Sequence, residues 1–220
     1  MKRRIITTGD GSKTIQIEDW DEQYHSKHGA IQEAYHVFIK YGLRLFKDDK
    51  INILEIGFGT GLNALITLLE SKKQGLQINY VGVEAYPVSM KEVNELDYCH
   101  QLAVEHCKDT LSAMHESPWE KKVEIASDFM LEKQQKDFRS INEDNLFNLV
   151  YFDAFGARVQ PELWTEEIFA IMRRALKPSG VLVTYAAKGS VRRAMQEVGF
   201  TVERLPGPPG KREMLRAVKP

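Results

Sequence analysis

An apolar run that stops at three alternating glycines and then turns amphipathic most narrows the folds open to this chain: Leu54-Glu55-Ile56-Gly57-Phe58-Gly59-Thr60-Gly61-Leu62-Asn63. Such a run reads as strand, tight loop and helix. Glycine lacks a Cβ and tolerates positive φ, so the loop backbone can approach a ligand closely, and the following helix opens with free N–H groups. A nucleotide-like ligand is the expected occupant. The glycines do not choose among dinucleotide, flavin and sulfonium-nucleoside cofactors, and the acidic residues around them must decide.

The 220 residues fit one structural domain, with an N-terminal hairpin-and-helix extension, 1–46, packed on a core, 47–220. Thirty basic and 31 acidic residues give a net charge of −1, so any RNA contact must be a local patch. Two cysteines, Cys99 and Cys107, make no disulfide framework and suit a reducing compartment. With His100 and His106 they match no standard zinc spacing, and no metal is expected. Met1-Lys2-Arg3-Arg4 is basic without an apolar segment behind it, and no stretch approaches the roughly 20 apolar residues of a membrane span. The expected location is cytoplasmic, away from membranes.

Gly9-Asp10-Gly11-Ser12, between β-prone 5–8 and 14–17, predicts a hairpin, and apolar spacing predicts a helix over 30–45. Strands and helices then alternate: strand 51–56, helix from Gly61, strand 78–84, helix from Pro87, strand 122–126 and helix from Asp128. Strand 146–153, helix 161–176, strand 181–185, helix 191–198 and final strands 200–205 and 212–218 follow. Repeated strand-helix units predict an α/β protein with a Rossmann-like doubly wound sheet.

Four carboxylates at strand ends bear on the cofactor. Glu84 ends the second strand, where it can accept hydrogen bonds from both ribose hydroxyls. Glu55 lies two residues before Gly57, which suits a methionine ammonium and would repel a pyrophosphate. Asp128, in Ser127-Asp128-Phe129, can accept from an adenine amino group while Phe129 offers ring surface. Asp153, in Asp153-Ala154-Phe155, ends the fourth strand beside the glycine loop. Any one of these could be a helix cap or a solvated charge, but their joint placement favours S-adenosylmethionine (SAM). Phe58, Phe129 and Phe155 are as compatible with core as with ligand contact.

With those residues in hand, the chain resembles the MnmC methyltransferase-domain family, bacterial enzymes that complete 5-methylaminomethyl-2-thiouridine at the tRNA wobble position. The resemblance runs from about Asp10 to Leu215. It is carried by Tyr24-His25-Ser26-Lys27-His28-Gly29 with Glu33, by Gly57-Phe58-Gly59-Thr60-Gly61-Leu62-Asn63, Glu84-Ala85-Tyr86-Pro87 and Asp153-Ala154-Phe155, and by Trp164-Thr165, Val191-Arg192-Arg193 and Lys211-Arg212-Glu213-Met214-Leu215. It implies a class I SAM-dependent methyltransferase fold with an antiparallel last strand. The implied cofactor residues are Tyr24, Ser26, Gly29, Glu33, Glu55, Gly57, Phe58, Gly59, Thr60, Gly61, Asn63, Glu84, Ala85, Asp128, Phe129, Asp153 and Phe155. Two departures stand out: the family continues its Asp-x-Phe with Ala-Pro where this chain has Gly156-Ala157-Arg158, and activity is expected without the family's FAD-dependent oxidase domain, which these 220 residues do not contain. The implied activity is methylation of 5-aminomethyl-(2-thio)uridine, with a separate oxidase as the expected source of that intermediate.

Methyl transfer to an amine needs alignment, exclusion of water and an acceptor for the amine's proton. Asp153 is the expected acceptor or orienting group, Tyr185 is expected beside it as a catalytic residue, and Tyr185 and Tyr24 are expected to wall the pocket or hydrogen-bond the base. Lys188, Arg192, Arg193, Lys211 and Arg212 are the expected phosphate contacts to tRNA. The fold fixes cofactor geometry and not acceptor identity, so a small amine or another nucleoside stays an alternative acceptor.

Overall fold

The structure is a computed structural model that describes residues 2–47 and 50–220. Arg3–Thr7 (β1) and Lys13–Ile17 (β2) pair antiparallel across the predicted turn, with Ile5 opposite Ile15, and short Glu22–Gln23 (β3) adds to β2. Ala30–Ala34 (α1) runs directly into wider π-helical turns, Tyr35–Lys40, and a 3₁₀ turn follows at Leu43–Leu45, so the single helix expected over 30–45 is three pieces.

The alternating section comprises Lys50–Ile56 (β4), Leu62–Gln74 (α2), Gln77–Val83 (β5), Met90–Glu95 (α3), Tyr98–Leu102 (α4), Cys107–Glu116 (α5), Lys122–Ala126 (β6), Phe129–Gln134 (β7), Phe147–Phe152 (β8), Glu166–Ala175 (α6), Leu176–Thr184 (β9), Gly189–Glu197 (α7), Thr201–Pro206 (β10) and Glu213–Val218 (β11). One eight-stranded sheet has the order β10-β11-β9-β8-β4-β5-β7-β6. Pairings from β9 through β7 are parallel; β11, β10 and β6 are antiparallel to their neighbours. In β4, Ile51 and Ile53 join the core on one face while Leu54 and Ile56 join it on the other. Burial on both faces is why apolar Ile53 and Leu54 stand next to each other here instead of alternating strictly with polar residues. The chain leaves β4 for β5 on one side and returns to β8 on the other, and that reversal opens a crevice beyond the strands' C-terminal ends.

Four expectations need correction. Residues 122–126 form an edge strand, and the parallel neighbour of β5 is β7, which replaces the helix expected from Asp128. Glu132, Lys133, Gln134 and Gln135 are good helix formers, but pairing on both sides overrides propensity. The Lys133 ammonium bonds His115 O and lies 4.7 Å from the Trp119 ring centroid. The helix expected at Pro87 begins at Met90, where Ser89 and Glu92 form a reciprocal capping box. The helix expected over 161–176 is a 3₁₀ turn, Pro161–Trp164, followed by α6, and Pro178-Ser179-Gly180 lies within β9 at a register irregularity. Finally, Cys99 and Cys107 are joined in a disulfide, Cα atoms 5.4 Å apart, linking α4 to α5. Among the described residues, no helix is long and apolar enough to cross a membrane.

Gly82 couples the sheet to the glycine loop, because a Cβ there would collide with the Phe58 ring. Gly82→Ala is therefore expected to destabilise the protein by about 1–3 kcal/mol through overpacking, read as a lowered midpoint in urea unfolding.

Candidate active site

Beyond β4 and β8 lies a cleft of about 490 Å³, walled on its outer side by the N-terminal segment around Tyr24. Its floor is the glycine loop. Gly57 and Phe58 donate their N–H groups to Val83 O at 3.0 and 3.1 Å, and Asp153 N donates to Ile56 O at 3.0 Å, so loop and carboxylate are fixed to neighbouring strands. Gly57 has φ +90°, and its missing Cβ would stand 2.9 Å from Asp153 O. Glu84 accepts from Gly59 N at 3.0 Å and from Tyr86 N at 2.9 Å. Thr60 is held from behind: Tyr98 OH donates to its Oγ1 at 3.1 Å, and His115 Nε2 donates to its carbonyl at 3.0 Å.

Asn63, on the first turn of α2, links two carboxyl groups. Its Nδ2 donates to Glu55 Oε1 at 2.9 Å and to Asp153 Oδ2 at 2.8 Å. Burial and the nearby Glu33 charge push the Asp153 carboxyl up to about 7, against the lowering effects of Asn63 and Lys211. Glu55 is fully buried beneath Asn63, and that burial raises its carboxyl well above the usual range. It therefore stands behind the cleft wall.

The loop after β8 is pinned through its carbonyls. Tyr185 OH donates to Ala154 O at 2.8 Å, and Trp164 Nε1 donates to Phe155 O at 2.8 Å. Phe155 meets Tyr24 and Trp20 edge-on, with centroids 5.0 and 5.6 Å apart. Arg158, in the segment that departs from the family pattern, donates to Trp20 O, Asp21 O and Glu22 Oε2 at 3.0–3.1 Å and fastens the N-terminal segment beside this loop.

Most expected cofactor residues converge here. Tyr24, Ser26, Glu33, Gly57, Gly59, Thr60, Asn63, Glu84, Ala85, Asp153 and Phe155 all border the cleft. Phe58 also borders it, but its ring is buried against Gly82 and His115. Gly61 opens α2 against His115 and Leu111, and Gly29 opens α1 against Asp10; neither borders the cleft. Asp128 and Phe129 are corrected outright. Asp128 lies in the turn before β7 and Phe129 begins that strand, at the end of the sheet opposite the cleft, where Asp128 O accepts from Ile78 N and Phe129 is buried against Tyr80. The residues β7 delivers to the cleft are Asp137, Phe138 and Arg139, a second Asp-Phe pair that the misread strand concealed. Trp20, which sequence reasoning also missed, carried no periodic signal.

Among the expected RNA contacts, Lys188, Arg193 and Arg212 are exposed and Arg192 is half-buried, all outside the cleft wall. Lys211 turns inward instead: its ammonium bonds Glu33 and lies 4.0 Å from the Tyr185 ring centroid. Tyr185 uses its hydroxyl on Ala154 O, which holds the loop, and leaves its ring facing the cleft.

The site suits SAM. A Cβ on Gly57 or Gly59 would fill the cradle beside the loop, and Asn63 Oδ1 is a buried acceptor without a partner, suited to a ligand ammonium. The fold matches the crystal structure of MNMC2 from Aquifex aeolicus with TM-score 0.81 and 25% sequence identity, over 98% of this chain and 69% of that one. The tRNA 5-methylaminomethyl-2-thiouridine biosynthesis bifunctional protein MnmC of Hydrogenovibrio crunogenus is 27% identical over 97% of this chain. Its namesake in Pseudomonas entomophila is 30% identical over 91%. The chain spans about a third of the length of these two relatives, 33% and 34%. Residues 94–220 match the S-adenosyl-L-methionine-dependent methyltransferase family, and with that match over more than half its length the chain belongs to this family of SAM-dependent enzymes.

Proposed function

We propose that this methyltransferase acts on the primary amine of 5-aminomethyl-(2-thio)uridine at the tRNA wobble position, giving the 5-methylaminomethyl base. The observation that carries the reading is Asp153, a half-buried carboxylate bordering the cofactor cleft and tied through Asn63 to the glycine loop. The likeness to proteins named for 5-methylaminomethyl-2-thiouridine biosynthesis supports the acceptor.

The glycine loop would hold the methionine end of SAM, with Glu84 at the ribose and Asn63 Oδ1 toward the ammonium. When bound, SAM supplies a methyl group on a sulfonium, which leaves as a neutral thioether. Asp153, with its carboxyl near 7, takes a proton from the acceptor amine at neutral pH. Tyr185 and Trp164 keep the carbonyls beside Asp153 fixed, so alignment is established before reaction. The aromatic wall of Trp20, Tyr24 and Phe155 excludes water and offers surface for a base.

Incubation with labelled SAM and tRNA carrying 5-aminomethyl-2-thiouridine, followed by nucleoside mass spectrometry, should yield the 5-methylaminomethyl nucleoside. Gly59→Arg should abolish it, because a Cβ there already meets the Tyr24 ring at 3.0 Å. SAM binding by calorimetry without transfer to this tRNA would overturn the acceptor assignment.

A further inference from the structure

The cleft already holds an alkylammonium of its own. Lys211, from the connection between β10 and β11, places its Nζ on Glu33 and over the face of Tyr185. Both partners are held by other contacts as well. Glu33 is buried on α1, with its other oxygen accepting Ser26 N at 3.0 Å, and Tyr185 is fixed through its hydroxyl to Ala154 O. A fixed carboxylate and an oriented aromatic face are what recognition of a primary ammonium requires. Glu22 also faces this region, but it is paired with Arg158 at 3.0 Å. Asp153 lies on the same wall, within reach of the Lys211 charge.

We propose that Glu33 and the Tyr185 ring form the subsite for the acceptor's amine, and that Lys211 occupies this subsite until a nucleic-acid phosphate draws the lysine away. The inference rests on the reading of the acceptor as an aminomethyl base within RNA. Lys211 then exchanges one anion for another, Glu33 for phosphate, and the released Glu33 receives the substrate ammonium before Asp153 takes its proton. A free nucleoside brings no phosphate to release Lys211. The cleft thereby distinguishes an aminomethyl base in a polynucleotide from the same base alone.

The segment carrying Lys211 is built as a small closed turn, with Gly207 N donating to Arg212 O at 3.1 Å and Lys211 N to Pro208 O at 2.9 Å. A local swing of the lysine side chain leaves this turn intact. Arg212 next to it is exposed and ready to share the phosphate contact.

The test compares wild type with Lys211→Met, using calorimetry with 5-aminomethyluridine nucleoside and methylation of the aminomethylated tRNA. The variant should bind the nucleoside about tenfold more tightly, because the competing occupant is gone. Its KM for tRNA should rise, with the salt dependence of tRNA binding shallower by about one phosphate contact. Adding Glu33→Gln to Lys211→Met should abolish the gained nucleoside affinity. Nucleoside affinity that is unchanged or weaker in Lys211→Met would overturn the proposal, and Lys211→Gln answers the same question if the Met variant does not fold. Nucleoside affinity gained without methylation of the tRNA by either protein would remove the RNA acceptor and leave the amine subsite standing.

Discussion

Asp153→Asn is expected to slow methyl transfer by about 10²–10⁴-fold, the range lost with a positioned general base, while raising the stability of the cofactor-free protein above neutral pH. The two effects have one cause. Burial and the Glu33 charge lift the Asp153 carboxyl from 3.8 to about 7. Between those values the folded protein holds a proton that the unfolded chain has released. The stability contributed by protonated Asp153 is therefore complete below about pH 4 and is lost as pH rises through about 7. Asparagine does not titrate there and keeps an oxygen to accept from Asn63. Above pH 7 the variant should be more stable than wild type by on the order of 4 kcal/mol, with the gap closing toward pH 4. Urea unfolding across that range measures the stability difference. The wild-type rate should rise with pH through the same region, and the variant should lose that limb. Equal stability of the two proteins at about pH 8 would mean that Asp153 is solvated and is not the poised base.

The elements legible in the sequence are those with strong local signatures. The glycine loop combines apolar strand, turn glycines and helix start within ten residues, and β4 and α2 fall where it predicts, while the apolar run over 146–153 marks β8. The strand-end positions of Glu84 and Asp153 followed directly. The error at β6 and β7 arose because Phe129–Gln134 is written in helix-forming residues, and only its pairing with β5 and β6 makes it a strand. That misplacement carried Asp128 and Phe129 to the wrong edge and hid Asp137 and Phe138. Lys211 illustrates a different limit. Its lysine-arginine context reads as surface, and its inward turn depends on Glu33, 178 positions away in sequence. The Cys99–Cys107 bridge was equally invisible, since two cysteines carry no pattern until α4 and α5 bring them together.

Gly57→Ala is expected to weaken SAM binding by on the order of 100-fold in calorimetry, a loss of about 3 kcal/mol. Gly57 and Gly75 both have positive φ, +90° and +69°, and alanine is disfavoured at each. They differ in what surrounds the missing Cβ. At Gly75, which closes the C-terminus of α2, nothing lies within 4 Å, and Gly75→Ala should cost about 1 kcal/mol of stability with little change in SAM affinity. At Gly57 the new methyl would stand 2.9 Å from Asp153 O, a main-chain atom just past β8 in a residue whose N–H is bonded to Ile56 O, so no side chain can swing aside. Relief must come from moving the glycine loop away from Asp153. That motion pulls on Asn63, which joins the loop's helix to both Glu55 and Asp153, and disturbs the acceptor geometry offered to the cofactor's ammonium. Similar SAM affinities for the two alanine variants would show that backbone strain alone sets the loop, and that close approach of the β4 and β8 ends does not.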